Sequence, residues 1–201
     1  MILTVFLVIF ICVSSVITLY LISLYNQLVS LRNRFKNAFS QIEVQLKRRH
    51  DLIPNLVETA KAYMSHERDT LMAVTEARNA SAACLNVAAA EPGSAQSIVH
   101  LGQTEGRLNR AMDKLNISLE AYPDLRASET MMQLNYEMTN TENRIAFARQ
   151  FFNDSVMNYN TFRQKFPTVL MAEAFGHGGD ATLLEFADSE QIQNTPVVSF
   201  I

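Results

Sequence analysis

Apolar side chains fill the chain from Ile2 to Leu24, relieved only by Thr4, Ser14, Ser15, Thr18 and Ser23, and the first charged side chain is Arg32. About 20 apolar residues suffice to cross a bilayer as a helix, and a single segment satisfies its own backbone there only as a helix. The hydroxyls can hydrogen-bond back to helix carbonyls. After Leu24 the run becomes a stripe of Leu28, Leu31, Phe35, Ala38, Ile42 and Leu46, the three- and four-residue spacing of an amphipathic helix. No Gly or Pro intervenes before Pro54, so the pattern predicts one helix running from the apolar segment into a soluble domain. A break is expected in His50-Asp51-Leu52-Ile53-Pro54. Asp51 would cap a second helix, and Pro54 would sit in its first turn, where a missing N–H is harmless.

The second helix carries Ile53, Leu56, Ala60, Tyr63, Leu71 and Val74, and stops at the turn signal Glu91-Pro92-Gly93-Ser94. A third has the stripe Ile98, Leu101, Glu105, Leu108, Met112, Leu115, Leu119, Tyr122, in which Glu105 is the one polar member. Pro123 ends it, because the residue before proline is pushed out of the α region. The fourth repeats Met131, Leu134, Met138, Thr141, Ile145, Ala148, Phe152, Ser155, Tyr159, Phe162 and Phe166 before Pro167 stops it. Such a sustained 3-4 alternation calls for left-handed packing against neighbours, and short connections make those neighbours antiparallel. The predicted fold is all-α: a single N-terminal transmembrane helix running into an antiparallel up-down four-helix bundle. The boundaries follow as 1–24 for the anchor, 25–167 for the bundle and 168–201 for an acidic C-terminal tail. No Lys or Arg follows Lys165, against Glu173, Asp180, Glu185, Asp188 and Glu190. The apolar end Pro196–Ile201 either docks on the bundle or frays, or it offers a strand or hook to a partner.

Charge adds an orientation. The 201-residue chain has a formal charge of −3, unevenly spread. Arg32, Arg34, Lys36, Lys47, Arg48 and Arg49 follow the apolar segment against Glu43 alone, and Tyr20 and Tyr25 stand where an interfacial aromatic belt would lie. The positive-inside bias places the bundle in the cytoplasm and a short N-terminus outside. The basic stretch either meets anionic headgroups or is a solvated helix face. The acidic remainder argues against nucleic acid. A cleaved signal is not indicated, because no basic n-region precedes the segment and no small-x-small site closes it. The two cysteines, Cys12 and Cys84, offer no disulfide framework or metal pair.

The patterns that carry chemistry are missing. None of His50, His66, His100 and His177 follows a Glu by three residues, as bundle metal sites need. Neither Gly-x-Ser-x-Gly nor a phosphate-cradling glycine loop occurs. No catalytic residue, metal or cofactor is expected. Three polar features remain. Gly102 and Gly106 on the third helix allow close approach of another backbone, or form a self-association face. Thr141, Glu142, Asn143 and Arg144 interrupt the longest helix. Asn153, Asn158 and Asn160 cluster although Asn is a poor helix former. The candidate polar interaction cluster is therefore Thr141, Glu142, Asn143, Arg144, Asn153 and Asn160, serving inter-helix hydrogen bonds or a ligand.

Several strings occur in order: Tyr25-Asn26-Gln27-Leu28-Val29, Arg32-Asn33-Arg34, Gln45–Val57 with its Arg48-Arg49-His50-Asp51-Leu52-Ile53-Pro54, Tyr122–Ala127, Thr141–Ala146, Asn153-Asp154, Tyr159-Asn160, Phe166-Pro167 and the closing Pro196–Phe200. Together they resemble the LemA family over nearly the whole chain. The resemblance implies a single-pass protein of the bacterial inner membrane with a cytoplasmic helical bundle, and an association with envelope stress and membrane proteolysis. It implies no activity. Phe152, Val169, His177 and Leu183-Leu184 depart from the residues usual in that family. The expected function is a non-enzymatic membrane scaffold or adaptor that meets lipid through its anchor and basic collar. It would also self-associate or hold a membrane protein partner. The alternative is a ligand-binding membrane sensor with a polar pocket in the bundle.

Overall fold

The computed structural model describes residues 1–64 and 66–186. Within them the chain is all-α. Helix α1 spans Ile2–Lys61, α2 Arg68–Ala90, α3 Ala95–Leu119, the single turn α4 Pro123–Arg126, α5 Glu129–Gln164 and the short α6 Thr168–Ala172. The long helices α1, α2, α3 and α5 form the antiparallel bundle expected from the spacing of their apolar residues. Direction is fixed by cross-contacts. Phe39 meets Phe152 with ring centroids 5.6 Å apart, Phe35 meets Tyr159 at 5.3 Å, and Arg48 bonds Glu137 at 2.6 Å. Rising numbers on α1 thus face falling numbers on α5. Ser128 starts α5, its hydroxyl accepting from the Met131 N–H, a regular N-cap.

The first helix does not break where expected. It runs through Pro54, and Asp51 caps nothing. Proline at 54 removes the N–H that would bond the His50 carbonyl, four residues back. That carbonyl instead accepts from Arg78 Nε on α2 at 2.9 Å. A neighbouring helix therefore supplies the missing donor, and the helix continues to Lys61. The turn falls at 62–67, where no Gly or Pro marks it. There Met64 is buried as a plug in the far end of the bundle.

Two hydrophobic cores result. The near core, next to the apolar N-terminal segment, joins Leu28, Phe35, Phe39, Ile42, Leu85, Leu101 and Phe152 to residues 172–186. The far core joins Ile53, Leu56, Leu71, Leu108, Leu115, Leu125 and Met131. Before Leu24, by contrast, the side chains of α1 stand open, apart from the partly covered Leu21. This segment is long and apolar enough to cross a membrane.

Candidate functional site

Between the two cores lies a polar layer. Arg49 and His50 project from α1, Ser81 from α2 and Glu105 from α3, all buried. His50 Nε2 is 2.9 Å from Glu105 Oε1, the Ser81 hydroxyl donates to the same oxygen, and Arg49 lies 3.6 Å from Oε2. Arg49 also donates to the Asn109 side-chain oxygen. Burial pushes the Glu105 carboxyl up, but the His50 hydrogen bond, the Arg49 and His50 charges and the Ser81 hydroxyl outweigh it, leaving the group below its ordinary 4.5. Glu105 is thus ionised at neutral pH. An ionised carboxylate only accepts, so His50 Nε2 carries the proton between them. Glu105 is legible in the sequence as the polar exception on its stripe. His50 and Arg49 are less so, because the expected break made them a helix end. Yet the spacing continues through them, from Leu46 to Ile53, and could have placed them inside.

A second arrangement lies across the seam between α3 and α5. After α6 the chain turns back at Gly176, whose φ is +76°, and runs extended as a strap over residues 181–186. Asn160 donates to the Ala181 carbonyl at 2.8 Å and accepts from the Ala181 N–H at 2.9 Å. Asn153 does the same with Leu184, at 3.2 and 2.9 Å. The spacing explains the pair: seven helical residues rise about 10.5 Å, and three extended residues cover about 10 Å. Two amides two turns apart therefore read the backbone of an antiparallel strap. On the other side, a Cβ at Gly102 would collide with the Glu185 carbonyl oxygen, so only glycine admits the strap there, and Gly106 is buried one turn on. Arg163 and Gln164 hold Asp180 at 2.9 Å each, and the Tyr159 hydroxyl meets His177 Nδ1 at 3.0 Å. Burial, aided by the nearby Arg32 charge, lowers the pKa of His177. Residues 187–201, including Asp188, Glu190 and the Pro196–Ile201 end, lie outside the described residues.

The members of the sequence-derived cluster thus go to different places. Asn153 and Asn160 hold the strap. Thr141 is buried and bonds back to the Glu137 carbonyl at 2.8 Å. Asn143 and Arg144 are on the surface, Arg144 donating to Asn140 at 3.2 Å. Glu142 lines a cleft of about 280 Å³ together with Arg49, Asn109, Asp113, Arg149 and Phe186, and Phe186 lies 4.5 Å from the Arg149 guanidinium. The basic residues also divide. Arg32, Arg34 and Lys36 are exposed within about 21 Å of Ile22 along the helix axis. Lys47, Arg48 and Arg49 stand about 38 Å or more away. Arg48 pairs with Glu137 and Arg49 belongs to the buried layer, so these two serve the bundle itself.

Curated proteins are similar to this chain in sequence. Protein LemA of Metamycoplasma hominis is 25% identical over 148 residues, which cover 74% of this chain but 63% of that protein. Magnetosome protein MamQ of Magnetospirillum gryphiswaldense is 24% identical over 195 residues, 87% of this chain and 68% of that protein. This chain therefore spans about two thirds of the length of these curated relatives. The LemA family model matches residues 38–200, taking in the polar layer, both asparagines and the strap; the chain belongs to the LemA family.

Proposed function

We propose that this protein is a non-enzymatic, membrane-anchored scaffold or adaptor. The supporting observation is α1, one helix of 60 residues that is the exposed apolar segment at its start and the shared wall of both cores thereafter. Such a helix has no joint. Whatever binds the bundle is held at a fixed distance from the bilayer, which is the physical requirement of a scaffold. The reading includes the bacterial inner membrane as location and the bundle in the cytoplasm, supported by Arg32, Arg34 and Lys36 just after the apolar segment. Protease added outside intact spheroplasts should leave the bundle uncut; cleavage would reverse the orientation.

Crosslinking in intact membranes, followed by mass spectrometry, tests the role. Self-crosslinks alone mean a scaffold of copies. A second protein captured from one face means an adaptor, and its identity tests the link to envelope stress or membrane proteolysis. The absence of both crosslinks, or substrate turnover by the purified protein that is lost with Glu142→Gln, would overturn the proposal. A ligand-binding sensor is the second reading, favoured by the cleft that Glu142, Arg49 and Arg149 help to line. Screening metabolites by thermal shift decides it: a stabilisation of several degrees abolished by Glu142→Gln favours the sensor.

A further inference from the structure

The near end of the bundle carries apolar side chains that none of the described residues covers. From Phe166 to Ala172 no residue is charged. Phe166 is 81% exposed, Val169 47% and Leu170 69%. Their depth can be read from α1. Ile2–Ile22 rises about 30 Å, the thickness of a bilayer's hydrocarbon core, so Leu24 and Tyr25 stand about 3 to 5 Å beyond it, among the headgroups. Leu24 is 7% exposed, unlike the open positions before it. Helix α6 packs against α1, and Phe175, just after α6, meets the Tyr25 ring edge-on at 5.5 Å. Helix α6 thus lies beside α1 close to Tyr25, with Phe166, Val169 and Leu170 exposed on and just before it and Lys165 exposed immediately before them.

We propose that Phe166, Val169 and Leu170 enter the bilayer interface next to α1 and give the protein a second contact with lipid; this rests on reading α1 as the membrane span. Interfacial insertion of aromatic and aliphatic side chains flanked by a lysine is the chemistry by which surface-bound segments hold to headgroups. A lone span can rotate about its own axis. A wedge on one side fixes which face of the bundle turns to the membrane and which to the solvent.

The chain has no tryptophan, so single substitutions give clean reporters. The full-length protein would be reconstituted in phosphatidylethanolamine–phosphatidylglycerol vesicles whose acyl chains carry bromine either near the headgroup or at the chain midpoint. Leu170→Trp should be quenched chiefly by the shallow bromines, and Phe10→Trp, in the span, chiefly by the deep ones. Ile117→Trp, on the outer face of α3 and 69% exposed, should be quenched by neither. If Leu170→Trp behaves like Ile117→Trp while Phe10→Trp is quenched, the wedge is refuted and the anchor stands. A blue-shifted Leu170→Trp emission without bromine quenching would place a protein surface there, again refuting it. Absence of quenching at Phe10→Trp would overturn the span reading itself.

Discussion

Glu105 shows how much one side chain can be asked to do. Its oxygens face His50, Ser81 and Arg49 in a layer closed to water. Removing one partner of a buried ionic group leaves the others uncompensated, at a cost of about 3–5 kcal/mol. Glu105→Leu should lose that much in a denaturant titration. The pH sign follows from the lowered carboxyl. A carboxyl ionised more readily in the folded than in the unfolded chain contributes its full stability above the unfolded value, about 4.5 here, and loses it as pH falls through the folded one. The stability gap between the natural protein and Glu105→Gln should therefore shrink as the pH falls below about 4.5; a gap that grows over that acid range would contradict the assignment. Gly102 is the other decisive residue. Gly102→Ala sets a methyl against the Glu185 carbonyl. It should raise amide exchange at Ala181 and Leu184 while leaving the far core protected, as should Asn160→Leu.

Among the elements, α1 is the most informative, because a proline sits inside it without ending it. The account through Arg78 has a specific consequence. Arg78→Leu strands the His50 carbonyl and should cost about 1–3 kcal/mol, the penalty of an unpaired buried acceptor. Pro54→Ala returns an N–H to the same carbonyl, so it should be mild alone and should recover much of the Arg78→Leu loss. Strict additivity in this double-mutant cycle would show that the two do not share one acceptor. The same place marks where sequence reasoning reaches its limit. Proline next to a charged run reads locally as a helix start, and only the arrival of α2 in space cancels it. Conversely, 62–67 has no local breaker, so the true turn was invisible. The buried stripe of α5 was legible from Met131 to Tyr159 because spacing alone determines it. The purpose of Asn153 and Asn160 was not, because their partners are backbone groups, which leave no mark in a sequence.

At the scale of the whole molecule, two apolar cores share four helices and are divided by the charged layer. Leu108→Ala, which empties space in the far core, should cost about 2–5 kcal/mol. Hydrogen exchange should show its effect larger in residues 53–64 and 108–119 than around Phe39 and Phe152. Equal loosening of both ends would mean the layer does not partition the bundle. The layer also opposes a slipped bundle. Moving α3 by a heptad along α1 would bring Glu105 against Glu43 or Val57 in place of His50, so either slipped alignment sets the buried carboxylate against a like charge or leaves it unmatched.

The unbroken α1 makes the protein a lever. From Ile22 to Lys61 it rises roughly 58 Å, and everything beyond the bilayer is bolted to it. Spans change tilt when bilayer thickness changes. A swing of about 10° at the membrane would carry the tip near Met64 sideways by about 10 Å. With Ile2–Ile22 as the membrane span, a small change of tilt among the lipids would be enlarged at the far end of the bundle.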